Sequence, residues 1–155
     1  MQINLIFIKL NPKNFQAANN LGVTFFELKD YQLADKYLKI ALNENKESAI
    51  IYNNLAIVQL YLKNYKDMDL YYNEALKLNA DYVPAINNKV ISKIHKDLSL
   101  YQPQNADSLL DIIKKDNENF YATRTLAKIY FIKGDFKSAN NILNPINSDY
   151  NFKLY

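Results

Sequence analysis

Apolar residues recur along this chain at helical spacing. Between residues 14 and 47 they fall at Leu21, Phe25 and Leu28, and then at Leu33, Tyr37, Leu38, Ala41 and Leu42. Each group forms one stripe of an amphipathic helix, so the stretch predicts two helices joined by a short turn. The same pattern returns 34 residues on. Asn19-Asn20-Leu21-Gly22 is repeated as Asn53-Asn54-Leu55-Ala56, Leu28-Lys29-Asp30-Tyr31 as Leu62-Lys63-Asn64-Tyr65, and Ala41-Leu42 as Ala75-Leu76. A fixed period over a whole unit predicts stacked helix pairs, in which each pair buries its apolar face against the next.

The small residues fit such a stack. Gly22, Ala56 and Ala127 stand where a paired helix must approach closely, while Ala34 and Ala139 receive the neighbouring bulk. Gly134 stands where a helix ends in a left-handed residue, and Asp135 is placed to cap the next helix. The third unit is degenerate. It keeps Ile86-Asn87-Asn88 but has Lys89-Val90 where Leu-Gly is expected, and its apolar face, Ile86, Val90, Ile94, Leu98 and Tyr101, is shifted by a residue. Its second helix is expected to restart near Ala106, after an irregular linker from Leu100 to Asn105. At the start, Ile3 to Leu10 followed by Asn11-Pro12 reads as the second helix of an incomplete preceding unit. Near the end, Pro145 predicts that the last helix stops at Asn144.

These residues resemble the tetratricopeptide repeat. Its pattern is met by Ala18, Leu21-Gly22, Phe25, Ala34, Leu38 and Ala41 in one unit, and by Tyr52, Leu55-Ala56, Gln59, Met68, Tyr72 and Ala75 in the next. Leu126-Ala127, Tyr130, Gly134-Asp135-Phe136, Ala139 and Leu143 meet it in the last. The resemblance implies an all-α fold, a right-handed solenoid of antiparallel helix pairs with about four repeats and a partial N-terminal helix. The expected organisation is a second helix of an incomplete repeat at 1–13, repeats at 14–47 and 48–81, a degenerate repeat at 82–118, a repeat with a shortened second helix at 119–147, and a tail at 148–155.

Composition narrows the function. The 155 residues carry 19 Lys+Arg and 16 Asp+Glu, a net charge of +3 spread along the chain, which is a solvated surface rather than a stripe for nucleic acid. There is no Cys and only one His, His95, so thiol chemistry, zinc ligation and histidine-based catalysis lack their parts. Two Gly are too few for a phosphate-cradling loop. The carboxylates that pair on paper, Asp67 with Asp69 and Asp111 with Asp116, fall on outer helical surfaces. The sequence therefore points to no enzyme, no cofactor and no metal. No run of the length of a membrane span or signal peptide is seen, which points to the cytoplasm.

What stands out is the series Asn19/Asn20, Asn53/Asn54 and Asn87/Asn88, each pair 34 residues after the last. The resemblance implies that first helices line a concave groove and that Asn20, Asn54 and Asn88 point into it. A carboxamide offers a donor and an acceptor together, so a row of them can hold the backbone of a partner's peptide. Val23, Phe26, Ile57, Leu60, Tyr61, Ile91 and Ile94 would supply apolar and aromatic pockets. Arg124 and Lys128, one turn apart with Lys89, His95 and Lys96 as possible neighbours, would receive an acidic group. The family's clamp for acidic chaperone C-termini is not matched, since Asn19, Val23, Pro84 and Asn88 stand at its positions. The partner is expected to be a protein or peptide. The alternative is a structural assembly module whose chain ends stack end-to-end with further repeats or with a second copy. A single-stranded RNA partner would need a basic groove, whereas this one includes Glu27.

Overall fold

A computed structural model describes residues 14–96, 104–115 and 120–149. Regular structure among them is entirely helical: α1 (Phe15–Glu27), α2 (Tyr31–Glu44), α3 (Ala49–Tyr61), α4 (Tyr65–Leu78), α5 (Val83–Lys96), α6 (Gln104–Lys115), α7 (Phe120–Ile132) and α8 (Phe136–Asp149). The incomplete repeat expected at 1–13, residues 100–103 of the expected linker and residues 150–155 of the expected tail lie outside the described residues, while Gln104 and Asn105 belong to α6 and residues 148 and 149 to α8. The chain divides into two compact units, residues 1–92 and 93–155.

Helix boundaries follow from local chemistry. Asn14, Asp30, Ser48 and Asn64 each cap a helix by accepting the backbone N–H of the residue three positions on, at 2.9, 3.0, 3.4 and 3.5 Å. Asp135 does the same for Ser138 at 3.1 Å. Such caps satisfy N–H groups that the first turn leaves without partners. Three helices end in a left-handed residue: Lys29 (φ 63°), Lys63 (φ 61°) and Gly134 (φ 78°). Gly134 was the expected one. The two lysines hold the same conformation because the turn demands it: Asp30 and Asn64 donate their N–H groups back to Phe25 and Gln59, as Asp135 does to Tyr130.

In the first unit, α1 and α2 close on each other at Gly22. A Cβ there would lie 2.5 Å from Leu38 Cγ and 3.2 Å from the Ala34 carbonyl oxygen, so no larger residue permits this approach. Ala18, Ala34, Leu38, Ala41, Ile51, Leu55 and Val58 form a continuous buried cluster across α1, α2 and α3, and Ala56, Met68 and Tyr72 carry the core onward. Each fully buried leucine contributes about 1.5–3 kcal/mol. This spread over successive pairs is the continuous core that the 34-residue period predicted.

In the second unit Leu109, Ala122, Leu126, Ala127, Ile129 and Ala139 are buried. Two expectations are corrected. α6 starts at Gln104 rather than near Ala106, and Asp107 in its first turn and Lys114 and Lys115 in its last suit the helix dipole. α8 continues through Pro145 to Asp149 instead of stopping at Asn144. A proline inside a helix removes one hydrogen bond, but the turns on either side keep theirs, and this helix persists.

Candidate functional site

The asparagine series lies on α1, α3 and α5, and the structure joins four of its six members, Asn19, Asn53, Asn54 and Asn88, into one chain of side-chain hydrogen bonds. Asn88 Nδ2 donates to Asn53 Oδ1 at 3.1 Å, Asn53 Nδ2 to Asn54 Oδ1 at 3.5 Å, and Asn54 Nδ2 to Asn19 Oδ1 at 3.0 Å. The donors run in one sense along the row, from Asn88 through Asn53 and Asn54 to Asn19, so each bond polarises the next.

The two members of each pair do different work. Asn53 and Asn87 are buried, at 4% and 5% exposure, while Asn19, Asn54 and Asn88 are half-buried and Asn20 is exposed. The links run from the second asparagine of one pair to the first of the preceding pair, a step of 35 residues. Asn54 and Asn88 thus spend one donor each on the stack itself. Asn87 Oδ1 is buried without a hydrogen-bond partner among the described residues.

Phe26 and Tyr61 are brought together, as members of a three-ring cluster. Tyr61, half exposed on the last turn of α3, sets its edge on Phe26 at 5.1 Å, and Tyr31 lies 5.7 Å from Phe26 and 5.0 Å from Tyr61. Tyr31 was not singled out from sequence. The signal was present, since an aromatic residue recurs just after each turn, at Tyr31, Tyr65 and Phe136. Ile57, by contrast, packs on the Ala56, Met68 and Tyr72 cluster, which makes it support for the face more than an open pocket.

Two side-chain hydrogen bonds join neighbouring helices in the first unit. Gln59 Nε2, on α3, donates to Asp35 Oδ1 on α2 at 2.6 Å, and Lys39 Nζ donates to the other oxygen at 2.8 Å. The bond to Asp35 holds the Lys39 ammonium above its ordinary pKa. Tyr72, fully buried on α4, shares a 3.0 Å hydrogen bond with Ser92 on α5, and burial pushes its phenol well above the usual range.

On the second unit Arg124 and Lys128 are both exposed on α7, one turn apart. Lys89, on the first unit, donates to Asn73 Oδ1 at 2.7 Å. The side chains of His95 and Lys96 lie outside the described part of α5. Among the described residues no group of His, Asp or Glu could hold a metal ion, and no helix is long and apolar enough to cross a membrane.

Residues 15–48 and 49–82 each match the tetratricopeptide repeat family model. Solved structures share the fold. A tetratricopeptide repeat protein from Parabacteroides merdae superposes with a TM-score of 0.77 at 17% identity, over 94% of this chain and 56% of that one. A mutant O-GlcNAc transferase of Thermobaculum terrenum gives 0.66 at 23% identity, over 74% of this chain and 22% of that one. The first such domain of Spaghetti (RPAP3), solved with an HSP90 peptide, gives 0.63 at 18% identity, over 77% and 93%. The chain thus spans about a fifth of the transferase and about half of the Parabacteroides protein. No curated protein matches the sequence.

Proposed function

This chain is a member of the tetratricopeptide-repeat family, two of whose repeats occupy residues 15–82, and from that premise we propose that it is a non-enzymatic scaffold holding a peptide segment of another protein along α1, α3 and α5. Repeats of this family build protein-interaction scaffolds. The finer reading is carried by the asparagine row, which links three first helices, one of which, α3, carries the half-exposed ring of Tyr61 two turns beyond Asn54. Asn54, half-buried, uses one donor and one acceptor within the row, and a carboxamide has two of each. Its remaining N–H and lone pair match the alternating C=O and N–H groups of an extended peptide, and Asn20 is exposed to one.

Tyr61, seated on Phe26 and Tyr31, offers a rigid aromatic anchor. The domain of Spaghetti holds an HSP90 peptide, but Val23 and Pro84 stand here at positions of the family's acidic clamp, so a different peptide is proposed. Affinity on the order of micromolar is expected, because an unstructured segment must be ordered on binding.

The test is a pull-down from the source organism's lysate with the natural chain beside an Asn20→Ala/Tyr61→Ala variant, after circular dichroism has shown equal helicity. Both positions are exposed, so the variant keeps its fold. Loss of a partner from the variant supports the reading, and equal retention overturns it.

A further inference from the structure

A second, independent surface lies at the turn between α7 and α8. Phe131 and Phe136 pack edge to face there, with ring centroids 5.3 Å apart, yet they are 63% and 61% exposed, and Ile132 beside them is 37% exposed. Three large apolar side chains in one exposed patch mark a contact surface rather than scattered exposure.

The same pair occurs in the first unit, where it is covered. Phe26 and Tyr31 stand three residues before and two after the left-handed Lys29, as Phe131 and Phe136 do about Gly134. Tyr61, on the helix that follows, lies over both at 5.1 and 5.0 Å, and Phe26 and Tyr31 are only half exposed. The chain therefore contains its own example of what completes such a pair: an aromatic ring delivered by an α-helix.

The charge around the open pair states the rest. α7, α8 and the turn between them carry four basic side chains, Arg124, Lys128, Lys133 and Lys137, and two acidic ones, Asp135 and, at the far end of α8, Asp149. Asp135 is committed to capping α8 through Ser138. Lys128 precedes Phe131 by one turn, and Lys137 adjoins Phe136. We propose that the Phe131–Phe136 pair docks an amphipathic helix of a partner protein that presents one aromatic ring between acidic residues. A second copy using the same patch would set these cations against one another.

The experiment is a selection, against the full chain, from a displayed library of 16-residue helical peptides randomised on one face. Selected peptides are titrated against the natural chain, a Phe131→Ser/Phe136→Ser variant and a Lys128→Glu variant. The expected result is a consensus of one aromatic residue with Asp or Glu one turn away. Its affinity falls at least tenfold for the double variant and about fivefold for Lys128→Glu, and is recovered in the latter by peptides carrying Lys in place of the acid. A basic or purely aliphatic consensus overturns the proposal, as does binding indifferent to Phe131 and Phe136. Self-association in analytical ultracentrifugation that the double variant abolishes also overturns it, because the occupant is then a second copy. Asn20→Ala/Tyr61→Ala leaves this binding unchanged, which separates it from the function proposed for α1, α3 and α5.

Discussion

Asn54 donates from Nδ2 to Oδ1 of Asn19 at 3.0 Å, and Asn88 repeats that bond to Asn53 at 3.1 Å. The carboxamides therefore hold neighbouring first helices in register before any partner arrives. Asn88→Ala would leave the buried oxygen of Asn53 without its donor, at a cost of about 1–3 kcal/mol. Asn20→Ala, at an exposed position, should cost less than about 0.5 kcal/mol. Urea denaturation of the two variants checks the contrast, and equal midpoints would show that the row carries no stability.

Gly22 sits against Leu38 with no room for a methyl group. Gly22→Ala should destabilise the fold by roughly 1–3 kcal/mol through overpacking. The equivalent places in later pairs already hold Ala56 and Ala127, so the penalty is local to this contact. Combining Gly22→Ala with Leu38→Ala should cost less than the sum of the two single losses, and simple additivity would contradict the contact.

Lys63 and Lys29 hold a backbone conformation that suits glycine, as Gly134 shows at the third such turn. Lys63→Gly should raise stability by about 1 kcal/mol by relieving the Cβ clash. Gly134→Ala should lower it by a similar amount, even though its Cβ would meet nothing within 4 Å. Thermal melts of both variants decide this, and a lowered melting temperature for Lys63→Gly would count against the strain.

Asp135 accepts hydrogen bonds from Ser138, with Lys137 near by, and these hold its carboxyl below the usual carboxylate range. The folded state thus favours the charged form, so its stabilisation is complete above the ordinary carboxylate pKa of about 4 and is lost as pH falls through the lowered folded value. Asp135→Asn keeps a capping oxygen and cannot titrate. Melts at pH 7 and pH 3 should show a smaller acid loss for the variant, and identical losses would refute the role.

Much of this molecule was legible in its sequence. Leu21, Leu55 and Leu126, with small residues after them, announced the packing of each first helix, and all three are fully buried. The asparagine row was legible as a period but not as a bonding pattern. Whether Asn54 meets Asn19 or Asn20 depends on the stagger between helices, which a spacing of 34 does not specify. The left-handed lysines were hidden because their turn geometry is set by backbone bonds to Phe25 and Gln59, not by a residue type that advertises positive φ. Pro145 misled for the opposite reason, since its local preference is overruled within α8.

The most direct test of the proposed binding face is photo-crosslinking in source lysate from a benzoylphenylalanine placed at Tyr61, with the same probe at Leu70, exposed on α4, as the comparison. A discrete partner captured from position 61 and not from position 70 is the predicted result. Capture from position 70 alone, or none from position 61, would contradict a binding face on α1, α3 and α5.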